Sequence, residues 1–597
     1  MAIPERNELN PEYTWALEDL YSCDEAWEAE FEWDKDYLRI VKAYEGRLGE
    51  SARLLLHYLA LSDEITGVFD KLGNYAYRRA DEDTRDSGPQ AMCAQLSSFL
   101  TQLSTASAFE TNEILAIPDE TLEQFYQEEP ELEVYRRYLD RIRRRREHIL
   151  SPAEEKLLAM AGELSDNPDN IFSMLNDADM TFADAVDEAG NPHPLTHGTY
   201  IPMMHGSDRT LRKSAYENLY AVYGQFKNTL AATLAAQAKQ LWFFAQARKY
   251  PSALAVAVDR NEVPEEVYHN LIAAVRDNLP KLHRYVRLRK KLLGVEELHC
   301  YDLYANMVGD VEMKFPFEEA KEIALKALEP LGSDYCNILK EGFESRWIDV
   351  YENAGKRSGA YSAGARVHPY VLLNYHDTLN DLFTLVHEMG HALHSELSNW
   401  NQPTVYAEYV IFVAEVASTC NEALLMEYLL KNTTDKKERA YLINYFLEQF
   451  RTTLYRQTMF AEFEEKINQL AQNGEGITAD VCCALYRQLN EDYFGPDLVV
   501  DDAIALEWAR IPHFYYNYYV YQYATGYAAA IALSRRILKE GEPAVEDYLK
   551  FLRGGSSMPP IELLKMAGVD MSTADPINQA LALFDELIGE LEALMEE

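Results

Sequence analysis

Basic residues are scarce in this sequence: 56 lysines and arginines stand against 98 aspartates and glutamates in 597 residues, a formal net charge of −42 at pH 7. Such a surface repels phosphate backbones and anionic headgroups, because non-specific nucleic-acid binding works by neutralising phosphates with Lys and Arg. Nucleic acid and anionic membrane are thereby set aside as partners; neutral or cationic small ligands such as peptides fit better. Cysteine is sparse as well. Cys23, Cys93, Cys300, Cys336, Cys420, Cys482 and Cys483 are scattered, with no C-x-x-C pair, which excludes a disulfide framework and a cysteine zinc knuckle. They read as reduced thiols, the adjacent Cys482 and Cys483 as packing residues of a helix. Long apolar runs are missing too: charge interrupts each one well before about 18 residues, and the opening MAIPERNELN has no apolar core of signal-peptide length. Together these absences predict a soluble, cytoplasmic protein. Fixed-period repeats and low-complexity tracts are also lacking.

What is present is enough to pack. Apolar residues make up 48% and aromatics 12%, with 40 tyrosines, over a length that allows several domain-sized units. From about Asp24 to Leu164 apolar residues recur every three or four positions, as in LLLHYLALSDEITGVFDKL, which predicts helices. Ser151-Pro152-Ala153-Glu154 is a helix start, with a Ser cap, Pro in the first turn and an acid facing the helix dipole. Arg143 to Arg146 form a basic run, read as a helix face answering nearby carboxylates rather than as a nucleic-acid patch. Between Asp166 and Gly206, Gly, Pro and Asn punctuation predicts a hairpin or loop and a boundary, dividing 1–200 from 201–597. Helical periodicity returns at Arg209 and holds to the end. One stretch departs from it: GKRSGAYSAGARVHPYVLLNY, from Gly355 to Tyr375, predicts a short sheet. Gly355-Lys356 is not a phosphate loop, because Val350 stands where the earlier Gly is required and Arg357 follows the Lys. The expected fold is therefore mainly α with a small sheet.

The stretch FTLVHEMGHALHSEL carries His387-Glu388-Met389-Gly390-His391, a match to H-E-x-x-H. At about 100° per residue the two imidazoles fall one turn apart on one face and can converge on one ion, while Leu382, Leu385, Met389 and Leu393 cluster opposite. Neutral imidazole suits Zn²⁺, and a carboxylate beside the ion, Glu388, can take a proton from a water whose pKa has fallen to roughly 7. The plain alternative is a core helix with satisfied histidines, in which each buried imidazole and the carboxylate would need its own partner. An open catalytic site wants a third protein ligand, one zinc per chain being expected. His394 shares the face but lies about 10.5 Å of helix rise beyond His387. Glu415 is the better candidate: Ile411, Phe412, Val413, Ala414, Val416 and Ala417 surround it, and a carboxylate so embedded needs a cation. Thr419 and Glu422 lie on its face, readable either as acceptors that orient the imidazoles or as ordinary polar helix residues. Farther on, ARIPHFYYNYYVYQYATGY, if helical, gathers His513, Tyr516, Tyr519, Tyr523 and Tyr527 within about 60° of one direction. Phenol and imidazole donors of that kind stabilise a tetrahedral oxyanion, and an aromatic packing stripe is the other reading.

HEMGH, AEVASTCNE with its Glu 24 positions after the second His, GKRSGAYS, HPYVLLNY and HFYYNYYVYQYATGY together resemble the M3 metallopeptidases, in particular the oligoendopeptidase F branch. YTWALEDLYSCDEAW and REHILSPAEEKLLA extend the likeness over nearly the whole chain. The resemblance implies a helical body in two lobes around a deep channel, with 1–200 as the N-terminal lobe and 201–597 as the catalytic domain. It implies zinc on His387, His391 and Glu415, Glu388 as general base, and His513 with a following tyrosine at the oxyanion. The spacing after His513 differs from that of the neurolysin-like branch, so Tyr523 is taken first and Tyr519 second. Tyr516, Tyr519 and Tyr527 would line the substrate, and the strand bearing His368 and Tyr370 would pair with its backbone. The expected activity is endopeptidase cleavage of short, unfolded peptides. The alternatives are a carboxypeptidase or dipeptidyl carboxypeptidase of the same motif, as in angiotensin-converting-type enzymes, and a non-catalytic acidic peptide-binding helical protein.

Overall fold

The three- and four-residue spacing of apolar side chains is answered by helices almost throughout the computed structural model, which describes residues 3–309 and 311–596. The longest run Ala52–Glu82 and Arg209–Ala247. Two compact units divide the chain, each assembled from three stretches: Met1–Glu147, Met313–Tyr428 and Leu533–Gly568 in the first; His148–Glu312, Leu429–Ala532 and Val569–Glu597 in the second. The separation at residue 200 thus marks a change of sequence character, while the compact units are drawn from other stretches. The hairpin expected there forms from Ala185–Val186 and Pro192–His193, paired antiparallel. Ser151 and Glu154 make the capping box their order predicts. Among the described residues no helix is long and apolar enough to cross a membrane.

In the first unit a three-stranded sheet forms, two of its strands within the Gly-rich stretch that predicts it and the third just before that stretch. Strand β1 (Ile348–Asp349) runs parallel to β3 (Tyr370–Leu372), and β2 (Tyr361–Ala363) pairs antiparallel with β3 on the other side. The central strand is wholly buried, and Tyr370 and Leu372 join the apolar core of the N-terminal helices, with Trp27, Leu55, Leu72 and Phe99. The N-terminal segment is stitched to the β1 side: Trp15 Nε1 donates to Val371 O at 2.7 Å, Val350 N to Tyr13 O and Ala16 N to Arg346 O, both at 3.0 Å. Asp349, fully buried, accepts from Arg6 Nη1 at 2.9 Å and from Lys356 Nζ at 2.7 Å. Its carboxyl is held below the ordinary range although burial works against ionisation, because two cations outweigh the desolvation. Lys356 is thereby a buried structural cation, in keeping with the rejection of a phosphate loop.

The basic run at Arg143 is answered as expected. Arg143 Nη1 donates to the carbonyls of Ile114 and Ile117, each at 3.0 Å, its Nη2 to Asp119, and Arg146 Nη2 lies 3.3 Å from the same carboxylate. All seven cysteines are free.

Candidate active site

Helix α1 (Leu379–Asn401) starts at Thr378, whose side chain accepts from Asp381 N while Asp381 returns the bond to the cap backbone. Its apolar stripe is buried as the period requires: Leu382, Leu385, Met389 and Leu393 are each 0% exposed. That leaves His387 and His391 on the opposite face. Helix α2 (Ile411–Asn432) packs across it. The approach is close because Gly390 faces the α2 backbone: a β-carbon there would lie 2.6 Å from Ser418 Cα and 2.9 Å from Ser418 N. Asn421, 0% exposed, ties the helices together by donating to Val386 O at 3.4 Å and accepting from Tyr335 OH at 3.0 Å.

This packing brings together three atoms from residues that span 28 positions of the sequence. His387 Nε2 and His391 Nε2 are 3.2 Å apart, and Glu415 Oε2 lies 3.3 Å from the first and 3.5 Å from the second. Ligands bound to one tetrahedral Zn²⁺ at 2.0–2.1 Å are separated by about 3.3 Å. The triangle therefore has the size that such an ion requires. His387 Nδ1 donates to Glu422 Oε1 at 2.5 Å, which puts the proton on Nδ1 and leaves the Nε2 lone pair aimed at the cluster. Ser418 Oγ shares its one proton between Glu415 O at 3.1 Å and Glu415 Oε2 at 3.3 Å.

The electrostatics of the cluster favour positive charge. Burial alone would lower the His387 imidazole, yet hydrogen bonds to Glu415 and Glu422 hold it well above its ordinary range. Burial alone would raise Glu415, and the two imidazoles instead hold it well below the usual carboxylate range. Glu388, 8% exposed, is shifted upward by burial against the pull of both imidazoles.

His394 stands outside the cluster. It is buried and stacks on Tyr409, with centroids 3.7 Å apart and planes 6° from parallel; burial pushes its pKa down to about 3 and keeps it neutral. Of the two polar residues expected behind the ligands, Glu422 takes that place, whereas Thr419, half-buried, makes no hydrogen bond to either imidazole among the described residues. Ser418, Gly390 and Asn421 were missed by motif reading. The one available signal was Gly390 itself, since glycine inside a helix is unfavourable and marks a close approach.

Two expectations are corrected in this unit. Tyr370 opens the central strand, which has β1 and β2 already on its two edges and so no free edge for a peptide, and His368 precedes that strand by two positions. His368, 7% exposed, lies parallel to Trp347 and places Nε2 3.2 Å from Asp19 Oδ2, while Tyr370, 0% exposed, donates to Ala16 O at 3.2 Å. Both fix the sheet to the N-terminal segment. The outer strand on the side away from that segment is β2, and the glycine just after it, Gly364, passes so near α1 that a β-carbon would lie 3.0 Å from the Ser395 side chain.

In the second unit, the segment from Ala509 to Tyr527 is not one helix. Short 3₁₀ turns at Ile504–Arg510 and Pro512–Tyr515 are followed by Asn517 and Tyr518 at φ +55° and +54°, and regular helix begins only with α3 (Tyr521–Glu540). Two successive left-handed residues are strained, and Glu464 helps to hold them by accepting from Tyr518 N at 2.6 Å. The bend still gathers most of the expected group. Tyr516, Tyr519 and Tyr523 ring centroids lie 5.5, 6.3 and 5.9 Å from His513, and Tyr523 OH is 3.4 Å from His513 Nε2. Tyr527 leaves it: 5% exposed, it packs edge-on against Phe450 at 5.0 Å, a core residue rather than a substrate contact.

The sequence model described as Peptidase family M3 matches residues 202–583, and that described as Oligopeptidase F matches residues 113–182. The chain belongs to peptidase family M3. Like others of that family it is a metallopeptidase, and curated members match it over 99% of its length. It is 49% identical over 594 residues to Oligopeptidase PepF of Bacillus subtilis (strain 168), covering 99% of this chain and 89% of that one. It is 41% identical to the Oligoendopeptidase F homolog of Lactococcus lactis subsp. lactis (strain IL1403), covering 99% of each. The solved oligoendopeptidase-F of Enterococcus faecium superposes with a TM-score of 0.75 at 38% identity, covering 96% of this chain and 99% of that one.

Proposed function

We propose that this M3 peptidase is a zinc endopeptidase that cleaves internal bonds of short, unfolded peptides, with the cation held by His387 Nε2, His391 Nε2 and Glu415 Oε2. The observation that carries the reading is the triangle of those three atoms, with edges of 3.2, 3.3 and 3.5 Å. When bound, the cation supplies Lewis acidity to the scissile carbonyl and acidifies a water. Glu388 takes the proton of the attacking water and passes it to the leaving amine, a transfer that its place beside the two ligands allows. Glu422 holds His387 in the tautomer whose Nε2 is free to bind, and Ser418 keeps the Glu415 carboxylate turned inward. His513 and Tyr523 are assigned as donors to the oxyanion, with Tyr519 as the second choice of phenol; their mutual approach within the second unit supports treating them as one group. Tyr516 is assigned to the substrate, as is the outer backbone edge of β2, which takes the place of the HPYVLLNY strand in pairing with an extended peptide. The assignment of 1–200 and 201–597 as N-terminal and catalytic parts is supported by the break between the two family matches. A reducing cytoplasmic setting is supported by the seven free thiols.

The test is metal removal. Dialysis against a chelator abolishes cleavage of a defined nonapeptide, one equivalent of Zn²⁺ restores it, and mass spectrometry of the products finds internal scission. Undiminished hydrolysis by metal-free protein overturns the proposal.

A further inference from the structure

Near His513 the second unit holds a charge cluster that the proposed reaction leaves unused. Arg456 Nη2 donates to Glu507 Oε1 at 2.6 Å, and Tyr486 OH donates to Glu507 Oε2 at 2.6 Å. Each oxygen of the one carboxylate is thus engaged without Arg510, whose Nε approaches Glu507 Oε1 only to 4.0 Å. Arg510 Nε is buried without a hydrogen-bond partner, and the guanidinium donates no hydrogen bond to any described residue. The guanidinium carbon lies 5.2 Å from the centre of the Tyr200 ring, and the Tyr220 hydroxyl is near enough to act on its charge. The side chain is not sealed off: 18% of its surface is accessible.

A guanidinium carries five N–H donors in a planar fork that matches a carboxylate. Holding that fork largely buried without protein acceptors is unfavourable unless something else supplies them. Arg456 and Arg510 facing Glu507 also leave one positive charge in excess, inside a chain whose net charge is −42. The ligand this arrangement selects is an anion with two oxygens. The cluster adjoins the candidate oxyanion group: Arg510 and His513 belong to consecutive 3₁₀ turns. Burial first, and then the charge of Arg456, hold the His513 imidazole below its ordinary value.

We propose that Arg510 is a specificity-determining residue that binds the C-terminal carboxylate of the peptide substrate, an inference that rests on the peptidase reading above. The chain end is the one carboxylate that unmodified peptides share whatever their sequence. A guanidinium that reads it favours short peptides without demanding particular side chains. An acidic side chain offers the same chemistry, so the test separates the two.

Steady-state kinetics of the zinc-loaded enzyme are compared on one nonapeptide as the free acid, as the C-terminal amide, and as an amide with a Glu at its penultimate position. The free acid exceeds the simple amide in kcat/KM by at least about tenfold, mostly through KM. In Arg510→Met this ratio falls to about 1; Arg510→Lys, which keeps charge but not the fork, gives an intermediate ratio and covers the case in which the Met variant does not fold. Equal cleavage of acid and amide by the wild type overturns the inference, as does a full preference retained in the Lys or Met variant. Recovery of the free-acid rate by the Glu-bearing amide, through Arg510, overturns the C-terminal assignment. Failure of the wild type to cleave any of the three peptides overturns the peptidase reading instead.

Discussion

Glu388→Gln lowers kcat by about 10²–10⁴-fold while leaving zinc content and KM near the wild-type values. The substitution keeps volume at a position only 8% exposed and removes the ability to accept a proton, so packing is conserved where chemistry is not. Neither the distances among His387, His391 and Glu415 nor the Glu422 bond behind them depends on the Glu388 carboxylate. Single-turnover rates and metal analysis of the same preparation check this. A variant that turns over normally removes Glu388 from the reaction, and one that loses the metal makes its role structural.

Gly390→Ala lowers kcat/KM by about 10²-fold or more, and for the opposite reason: the chemistry is intact and the geometry is lost. The new β-carbon would sit 2.6 Å from Ser418 Cα, 2.9 Å from Ser418 N and 3.0 Å from Ala417 O, all backbone of α2. Carbon contacts settle at about 3.5–4.0 Å, so the two helices must separate by roughly 1 Å. Glu415 travels with α2 and its Oε2 leaves the triangle. Alanine is the better helix former by roughly 1 kcal/mol, so weakening of α1 itself does not explain a loss. Zinc titration of the apo-variant reads the effect directly, with affinity falling in step with activity. Unchanged zinc affinity contradicts the account of why α1 and α2 are so close.

What sequence reasoning could and could not reach follows from the range of the interactions involved. The ligand face of α1 was legible because helical period alone puts His387 and His391 together and Leu382, Leu385, Met389 and Leu393 opposite. Glu415 was legible for a different reason, as a charge inside an apolar helix that calls for a counter-charge. Ser418 and Asn421 were not, since small polar residues in such a helix have local explanations and only the packing of α2 on α1 gives them partners. The sheet was expected in the right stretch but with the wrong strand exposed. The run Tyr370-Val371-Leu372-Leu373 has no polar alternation, and that pattern belongs to a strand covered on both faces; Trp15, lying 356 positions from Val371, helps to cover it by a pairing no local pattern encodes. Projecting Ala509 to Tyr527 on a helical wheel failed at Asn517, a residue type that tolerates the left-handed region, although the bend it makes still collects His513, Tyr519 and Tyr523.

The central claim is a single divalent cation on two imidazoles and one distant carboxylate. Anomalous diffraction recorded at the zinc edge from crystals of the chain purified without added metal tests it most directly. The account predicts one peak per chain, bonded at about 2.0–2.1 Å to His387 Nε2, His391 Nε2 and Glu415 Oε2. A peak held by other side chains, or none at that position in crystals soaked with zinc, contradicts it.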